Sequence, residues 1–269
     1  MTVTLRVGSV PYLVGRPLDL GLQREPGIDL VHEVPAALVE SLRAGEIDVA
    51  MVSSIELFRR PGYRYIDGLA VAGEGHVASV QLFLRRELEQ VERIALDPAS
   101  CTAAVLLRVL LAEGPGKFPQ FLEGVAGDDP RRVPADAWLR IGDAALREHH
   151  REDLPHFNPS QAWAERTGLP FIFAPWIVRP GVDIEPHLPA FRAARARGAA
   201  QVEDLARRAA GDWQLPLEAC RHYLLEECLF DVDERMQASL LAFRDRAADL
   251  GLCQGDLTPE PIPSSELYA

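Results

Sequence analysis

The 269-residue chain lacks the features that would put it in a bilayer, on nucleic acid or in a disulfide-bonded scaffold. Its apolar runs are short: Phe171-Ile172-Phe173-Ala174 is among the longest, far below the roughly 20 residues a membrane-spanning helix needs. The start, Met1-Thr2-Val3-Thr4-Leu5-Arg6, has no basic stretch followed by an apolar one and a small-residue cleavage site, so no secretion signal is read and a cytoplasmic location is expected. Positive charge is scarce. The formal net charge is −12 and the pI about 5.1, which disfavours nucleic acid and anionic membranes as partners. The one basic cluster, Arg192, Arg195 and Arg197, reads as a solvated helix face. The four cysteines, Cys101, Cys220, Cys228 and Cys253, form no Cys-x-x-Cys pair; Cys220 and Cys228 read as packed thiols of one helix face. Among the seven histidines only His149, His150 and His156 are close in sequence. They read as a charged loop without acidic or cysteine partners, and no metal is expected.

What the chain does have is an ordinary globular composition, 48% hydrophobic and 25% charged, and enough length for two medium lobes. Apolar periodicity alternates between strand and helix. Strands are expected at Leu5–Val10, Ile47–Val52, Leu69–Val71, Val77–Leu84, Ile94–Leu96, Phe118–Phe121, Ala137–Ile141 and Leu169–Val178. Helices are expected from Arg16, at Ala37–Leu42 before Gly45, at Thr102–Leu111, after Gly142 and at Pro159–Arg166. From Glu185 onward the chain reads as almost wholly helical, ending in a loose tail from Thr258. Alternating strands and helices followed by a helical ending imply two α/β lobes, with the late helices returning to the first.

One local device recurs. A strand ends, small hydroxyl-bearing or glycine residues follow, and a helix begins, at Ser9–Arg16, Ser53-Ser54, Asp97–Thr102 and Gly142-Asp143. Helix starts offer free N–H groups and a positive dipole end, so they bind carboxylate or phosphate without a basic residue. In open α/β sheets such turns gather at the carboxyl ends of strands, where ligands sit. Any single one is adequately explained as a helix cap. Nucleotide-phosphate loops and the Gly-x-Ser-x-Gly elbow are absent, and no serine or cysteine advertises a paired base. Trp138, Trp163, Trp176 and Trp213 read as core residues. Residue chemistry alone therefore describes a two-lobed binder of a small anion.

The order of the turns adds to this. Val7-Gly-Ser-Val-Pro-Tyr-Leu-Val-Gly-Arg-Pro-Leu18 resembles the opening of the chorismate dehydratases of the futalosine route to menaquinone. The resemblance continues through Gly45-Glu-Ile-Asp-Val-Ala-Met-Val-Ser-Ser-Ile-Glu56, Val77-Ala-Ser-Val-Gln-Leu82, Ala95-Leu-Asp-Pro-Ala-Ser-Cys-Thr102 and Ile141-Gly-Asp-Ala-Ala-Leu146. It extends to Trp163-Ala-Glu-Arg-Thr-Gly-Leu-Pro-Phe-Ile-Phe-Ala174, so the segments follow the family order over the first two-thirds of the chain.

The resemblance implies a two-lobed periplasmic-binding-protein-like (type II) α/β fold with a ligand cleft between the lobes. Lobe one would be residues 1–84 plus 179–269 and lobe two residues 85–178, with Val80–Leu84 and Phe171–Val178 as the crossing strands. The implied activity is a carbon–oxygen lyase acting on chorismate, without cofactor or metal. Tyr12, Val14, Arg16, Ser53, Ser54, Ser79, Ser100, Thr102 and Asp143 are the implied substrate-binding positions. No protein base stands out, so the substrate's own carboxylate is the suspected base. The sequence departs from the family where Val14 replaces an asparagine, and where Cys101 and Ala103 replace an arginine and a serine. A carboxylate-binding or sensing protein without efficient turnover is the alternative. A dihydroxynaphthoate synthase of the same fold fits the first motif less well.

Overall fold

A computed structural model describes residues 4–114, 116–125 and 127–263. Residues 1–3 and 264–269, and with them part of the expected tail, lie outside the described residues. The first sheet contains β1 (Leu5–Ser9), β2 (Ile28–His32), β3 (Val49–Met51), β4 (Arg64–Gly73), β10 (Phe171–Val178), β11 (Leu229–Asp231) and β12 (Glu260–Ile262). The second contains β5 (Val80–Leu84), β6 (Arg93–Ala95), β7 (Gln120–Leu122), β8 (Ala137–Ile141) and β9 (His156–Phe157). The helices are α1 (Arg16–Asp19), α2 (Pro35–Ala44), α3 (Thr102–Ala112), α4 (Gly142–Arg151) and α5 (Pro159–Thr167), then α6 (Leu188–Ala200), α7 (Val202–Trp213), α8 (Leu217–His222) and α9 (Arg235–Asp249).

The first sheet runs β11-β4-β10-β3-β1-β2, with β12 added to β4; the second runs β7-β6-β8-β5-β9. β1 pairs in parallel with β2 and β3, while β10 is antiparallel to both β3 and β4. In the second sheet β6 is parallel to β7 and β8, and β5 is antiparallel to β8 and β9. Each sheet is thus mixed, with a parallel βαβ part that needs its faces covered by helices.

Sheet membership corrects the expected crossing strands. Val80–Leu84 belongs wholly to the second sheet and Phe171–Val178 wholly to the first. The chain crosses in residues 74–79 and returns through residues 158–170, which include α5. Apolar strands buried on both faces look alike whether they end one sheet or begin the next, which is why the sequence misplaced the crossings. The tail is also corrected: Glu260–Ile262 pairs in parallel with Arg64–Ile66, and Ile262 is buried. The expected run from Glu185 breaks at Gln201 into α6 and α7. Within α6, Gly198 permits a close crossing, since a Cβ there would meet the Pro17 carbonyl oxygen at 2.1 Å.

Three apolar cores result, the smallest formed by Phe83, Ala95, Ala135 and Trp138, and α3 belongs to the two larger ones. Its Val105, Leu106, Val109 and Leu110 join the first-sheet core, while Ala103, Ala104 and Leu107 join the second. A helix apolar all round is one buried on all sides, and α3 is wedged between the two sheets in that manner. Trp138, Trp163 and Trp176 are buried as expected, whereas Trp213, at the end of α7, is only partly so. The arginines of α6 are more than a solvated face: Arg195 pairs with Asp231 at 2.6 Å, and Arg197 with Glu25 at 2.8 Å.

Candidate functional site

An open cavity lies between the sheets. From the first-sheet side it is walled by the loop after β1 (Val10, Tyr12, Val14), by Ser53 after β3, by Val71 and Ala72 on β4, and by Phe173 and Ala174 on β10. The second-sheet side supplies Val80, the start of α3 (Ser100 to Ala103), and the β8–α4 junction Ile141-Gly142. Val77 and Ser79 come from the crossing segment, and Cys228 from the first-sheet side after α8. Strand ends and helix starts from both sheets therefore converge, as expected for a ligand cleft at the carboxyl ends of strands.

Six of the nine sequence-derived positions line this cavity: Tyr12, Val14, Ser53, Ser79, Ser100 and Thr102. The other three stand behind it. Asp143 Oδ1 accepts the Leu13 N–H at 2.8 Å, bridging α4 of the second half to the loop after β1. Ser54 Oγ lies 3.4 Å from Thr102 Oγ1, which also accepts the Ile55 N–H at 3.2 Å. Arg16 is turned away: its Nη2 donates to the Val10 carbonyl at 2.5 Å and pairs with Asp19 at 3.1 Å.

The local reasons for these placements are visible. The Ser53 side chain makes no cap bond to the 3-10 turn Ser54–Phe58, contrary to expectation, and is hydrogen-bonded to the Cys101 thiol instead. Ser100 Oγ does cap α3, accepting the Ala104 N–H at 3.2 Å, and keeps its own proton to donate. Asp97 accepts from Ala99 N at 3.0 Å and Ile141 N at 3.2 Å, fixing the α3 entry against β8. Gly142 has φ +65°, and a Cβ there would lie 2.8 Å from the Tyr12 ring. Only glycine lets the aromatic ring rest on that helix start.

Burial leaves the site without a charged wall. Among the described residues, no arginine, lysine, histidine or carboxylate lines the cavity. Burial and the nearby charges of Asp97 and Asp143 push the Tyr12 phenol up, so it is a neutral donor. Behind the wall, burial raises the Asp143 carboxyl to about 6 against the opposing Leu13 N–H, Arg147 and Arg16. The fully buried Tyr223 phenol is also pushed up by burial, and its hydroxyl is hydrogen-bonded to Ser79 and Cys228. The cavity therefore offers apolar surface, including the Phe173 ring, edged by hydroxyls and by the first turn of α3. That arrangement suits an apolar ring whose edge carries carboxylates.

Sequence reasoning missed the apolar walls, Val71, Val77 and Phe173, and also Cys228, which does not sit on a shared helix face with Cys220 but follows the helical turn. No sequence signal separates a valine that walls a cavity from one that fills a core. The histidines also differ from expectation. His149 and His150 end α4, His156 starts β9, and the fold brings His76 and Glu227 to them. His76, His149 and His156 are the residues placed to hold a metal among those described.

These features define a two-lobed binding-protein architecture. A crystal structure of an Archaeoglobus fulgidus protein superimposes with a TM-score of 0.72 at 18% identity, covering 93% of this chain and 98% of that one. The alkanesulfonate-binding protein of Xanthomonas axonopodis pv. citri, bound to MOPS, gives a TM-score of 0.68 at 18% identity, over 95% and 96% of the two chains. The fold is periplasmic-binding-protein-like. A family model described as menaquinone biosynthesis matches residues 5–249, and the chain belongs to that family. A Thermus thermophilus relative named chorismate dehydratase is 30% identical over 238 residues, spanning 80% of this chain and 87% of the relative.

Proposed function

We propose that the protein is a chorismate dehydratase, converting chorismate into 3-[(1-carboxyvinyl)oxy]benzoate and water in the cytoplasm. The observation that carries this reading is the chemistry of the cavity, which has hydroxyls and a helix start at its edge, apolar walls, and no carboxylate, histidine or lysine among the described residues that line it. The named relative and the family membership support it.

The reaction asks little acid–base work of such a site. The C3–H electron pair becomes a ring double bond as the C4–O bond breaks, and aromatisation drives the step. The protein must hold the dianion, place the ring and help hydroxide leave. In this reading Tyr12, Ser53, Ser79, Ser100 and Thr102 donate to the carboxylates and the departing oxygen, while Phe173 and the valines take the ring. The substrate's enolpyruvyl carboxylate removes the C3 proton, since no carboxylate, histidine or lysine is among the described residues that line the cavity.

Purified protein incubated with chorismate should consume it and form the enolpyruvyl benzoate in equal amount. An analogue lacking the enolpyruvyl carboxylate should bind without reacting, and its turnover would remove the substrate-as-base step. A second reading, a carboxylate-binding or sensing protein, is favoured by Val14, an apolar side chain in the lining where the family carries a polar donor. Tight chorismate binding with no product would select it.

A further inference from the structure

Five of the seven histidines gather outside the cavity, beside the segment that carries the chain from the first sheet to the second. Ring centroids of His76 and His149 are 5.1 Å apart and those of His149 and His156 are 4.9 Å apart. One ring nitrogen from each of His76, His149 and His156 lies within 4.8 Å of the others. We propose that these three imidazoles form a binding site for a transition-metal dication of the zinc or cobalt(II) kind, tying the crossing segment to α4 and β9.

The hydrogen bonds already set the rings for this role. His156 Nδ1 lies 3.0 Å from the Leu154 carbonyl, which can only accept, so Nδ1 carries the proton and Nε2 keeps its lone pair. His76 Nδ1 lies 3.3 Å from Glu227 Oε1, and a carboxylate there likewise assigns the proton to Nδ1. A carboxylate behind a histidine is the usual support for a metal-bound imidazole. The remaining His76 nitrogen receives the Gln81 side-chain N–H at 3.0 Å, while Gln81 Oε1 is buried with no partner. An ion on His76 Nε2 takes the lone pair that this amide now uses, so the Gln81 side chain must turn when the ion binds.

The donor set selects the metal. Three neutral nitrogens and no carboxylate suit zinc, cobalt or nickel and not magnesium or calcium. Metal–nitrogen bonds of about 2.1 Å place tetrahedral ligands about 3.4 Å apart, so binding draws together nitrogens that already lie within 4.8 Å of one another. His156 is exposed and the other two are half-buried, leaving an open side for entry. The site also touches the cavity indirectly. Glu227 Oε2 accepts the Ala78 N–H at 2.7 Å, and the neighbours of these two residues, Val77, Ser79 and Cys228, line the cavity.

Calorimetric titration of the full chain with zinc chloride should show one saturable equivalent. Cobalt(II) should give the intense visible bands of a four-coordinate ion without thiolate charge-transfer absorption. His149→Ala and His156→Ala should each weaken zinc binding by at least about tenfold, and His187→Ala should leave it unchanged. Because His156 is exposed, His156→Gln keeps the test valid if the α4 variant fails to fold. Equal zinc affinity in wild type and the His156 variants, thiolate bands with cobalt, or no saturable uptake would each overturn the proposal.

Discussion

Among single residues, Asp143 is a carboxyl whose charge its surroundings oppose, as they also oppose those of Asp67 and Asp97. Burial lifts Asp143 from the usual 3.8 to about 6. A folded-state pKa above the unfolded one favours the fold fully at low pH, and the contribution is lost as pH rises from about 4 through about 6. Asp143→Asn keeps an acceptor for the Leu13 N–H and removes the charge. It should match wild type below about pH 4 and exceed it above about pH 6 by up to about 3 kcal/mol. Urea unfolding across that range checks it, and parallel curves for the two proteins would refute it. Gly142→Ala combines a left-handed backbone with a Cβ 2.8 Å from the Tyr12 ring. Its backbone cost alone is about 1–2 kcal/mol, and the displaced ring should weaken chorismate binding in the same preparation. Val14→Asn restores a donor to the lining and should raise kcat for chorismate; an unchanged rate would mean that other donors already serve the leaving oxygen. Tyr12, Ser53, Ser100 and Thr102 were legible in the sequence because they lie at strand–turn–helix junctions, whereas Ser79, outside those junctions, was reached only through the family resemblance. Phe173, Cys228 and His76 were not legible, because their partners arrive from the far side of a sheet or a hinge.

Elements were easier to read than their partners. The helix at Thr102–Ala112 was legible from its apolar run, yet nothing in that run says that both larger cores claim it. The strand at Glu260–Ile262 was not legible, since three residues flanked by prolines carry too little pattern and gain their structure from β4 alone. Buried ion pairs between elements were equally silent. Arg43 on α2 forks onto Glu56 in the 3-10 turn at 2.8 and 2.6 Å, and Glu56 is fully buried. Arg43→Met should cost about 3–5 kcal/mol by stranding that carboxylate. Arg43→Met combined with Glu56→Gln should recover much of the loss, as measured by denaturant midpoints; no recovery would assign the cost to packing of the arginine stem.

For the whole molecule, the two halves are held together around the cavity by contacts that span it. The Leu13 N–H meets Asp143 and the Ile55 N–H meets Thr102, while the Ala78 N–H ties the crossing segment to Glu227 on the first-sheet side. Thr102→Val removes one of these without changing side-chain shape. It should raise the chorismate Kd by roughly tenfold, about 1.4 kcal/mol, and the stabilisation that saturating chorismate gives should shrink accordingly. Calorimetry and thermal melts with ligand check this, an unaltered Kd being the contrary result.

β4 has one more consequence, and it concerns synthesis. The second sheet is contiguous, closing once residue 157 has left the ribosome, whereas β4 must wait for β10, β11 and finally β12, some 190 residues after its own last residue. The first sheet is therefore started early and finished last, with an unpaired, largely apolar strand edge exposed through most of elongation. Long-range pairing of this kind is slow, and it concentrates the nascent chain's exposure to mispairing in one strand.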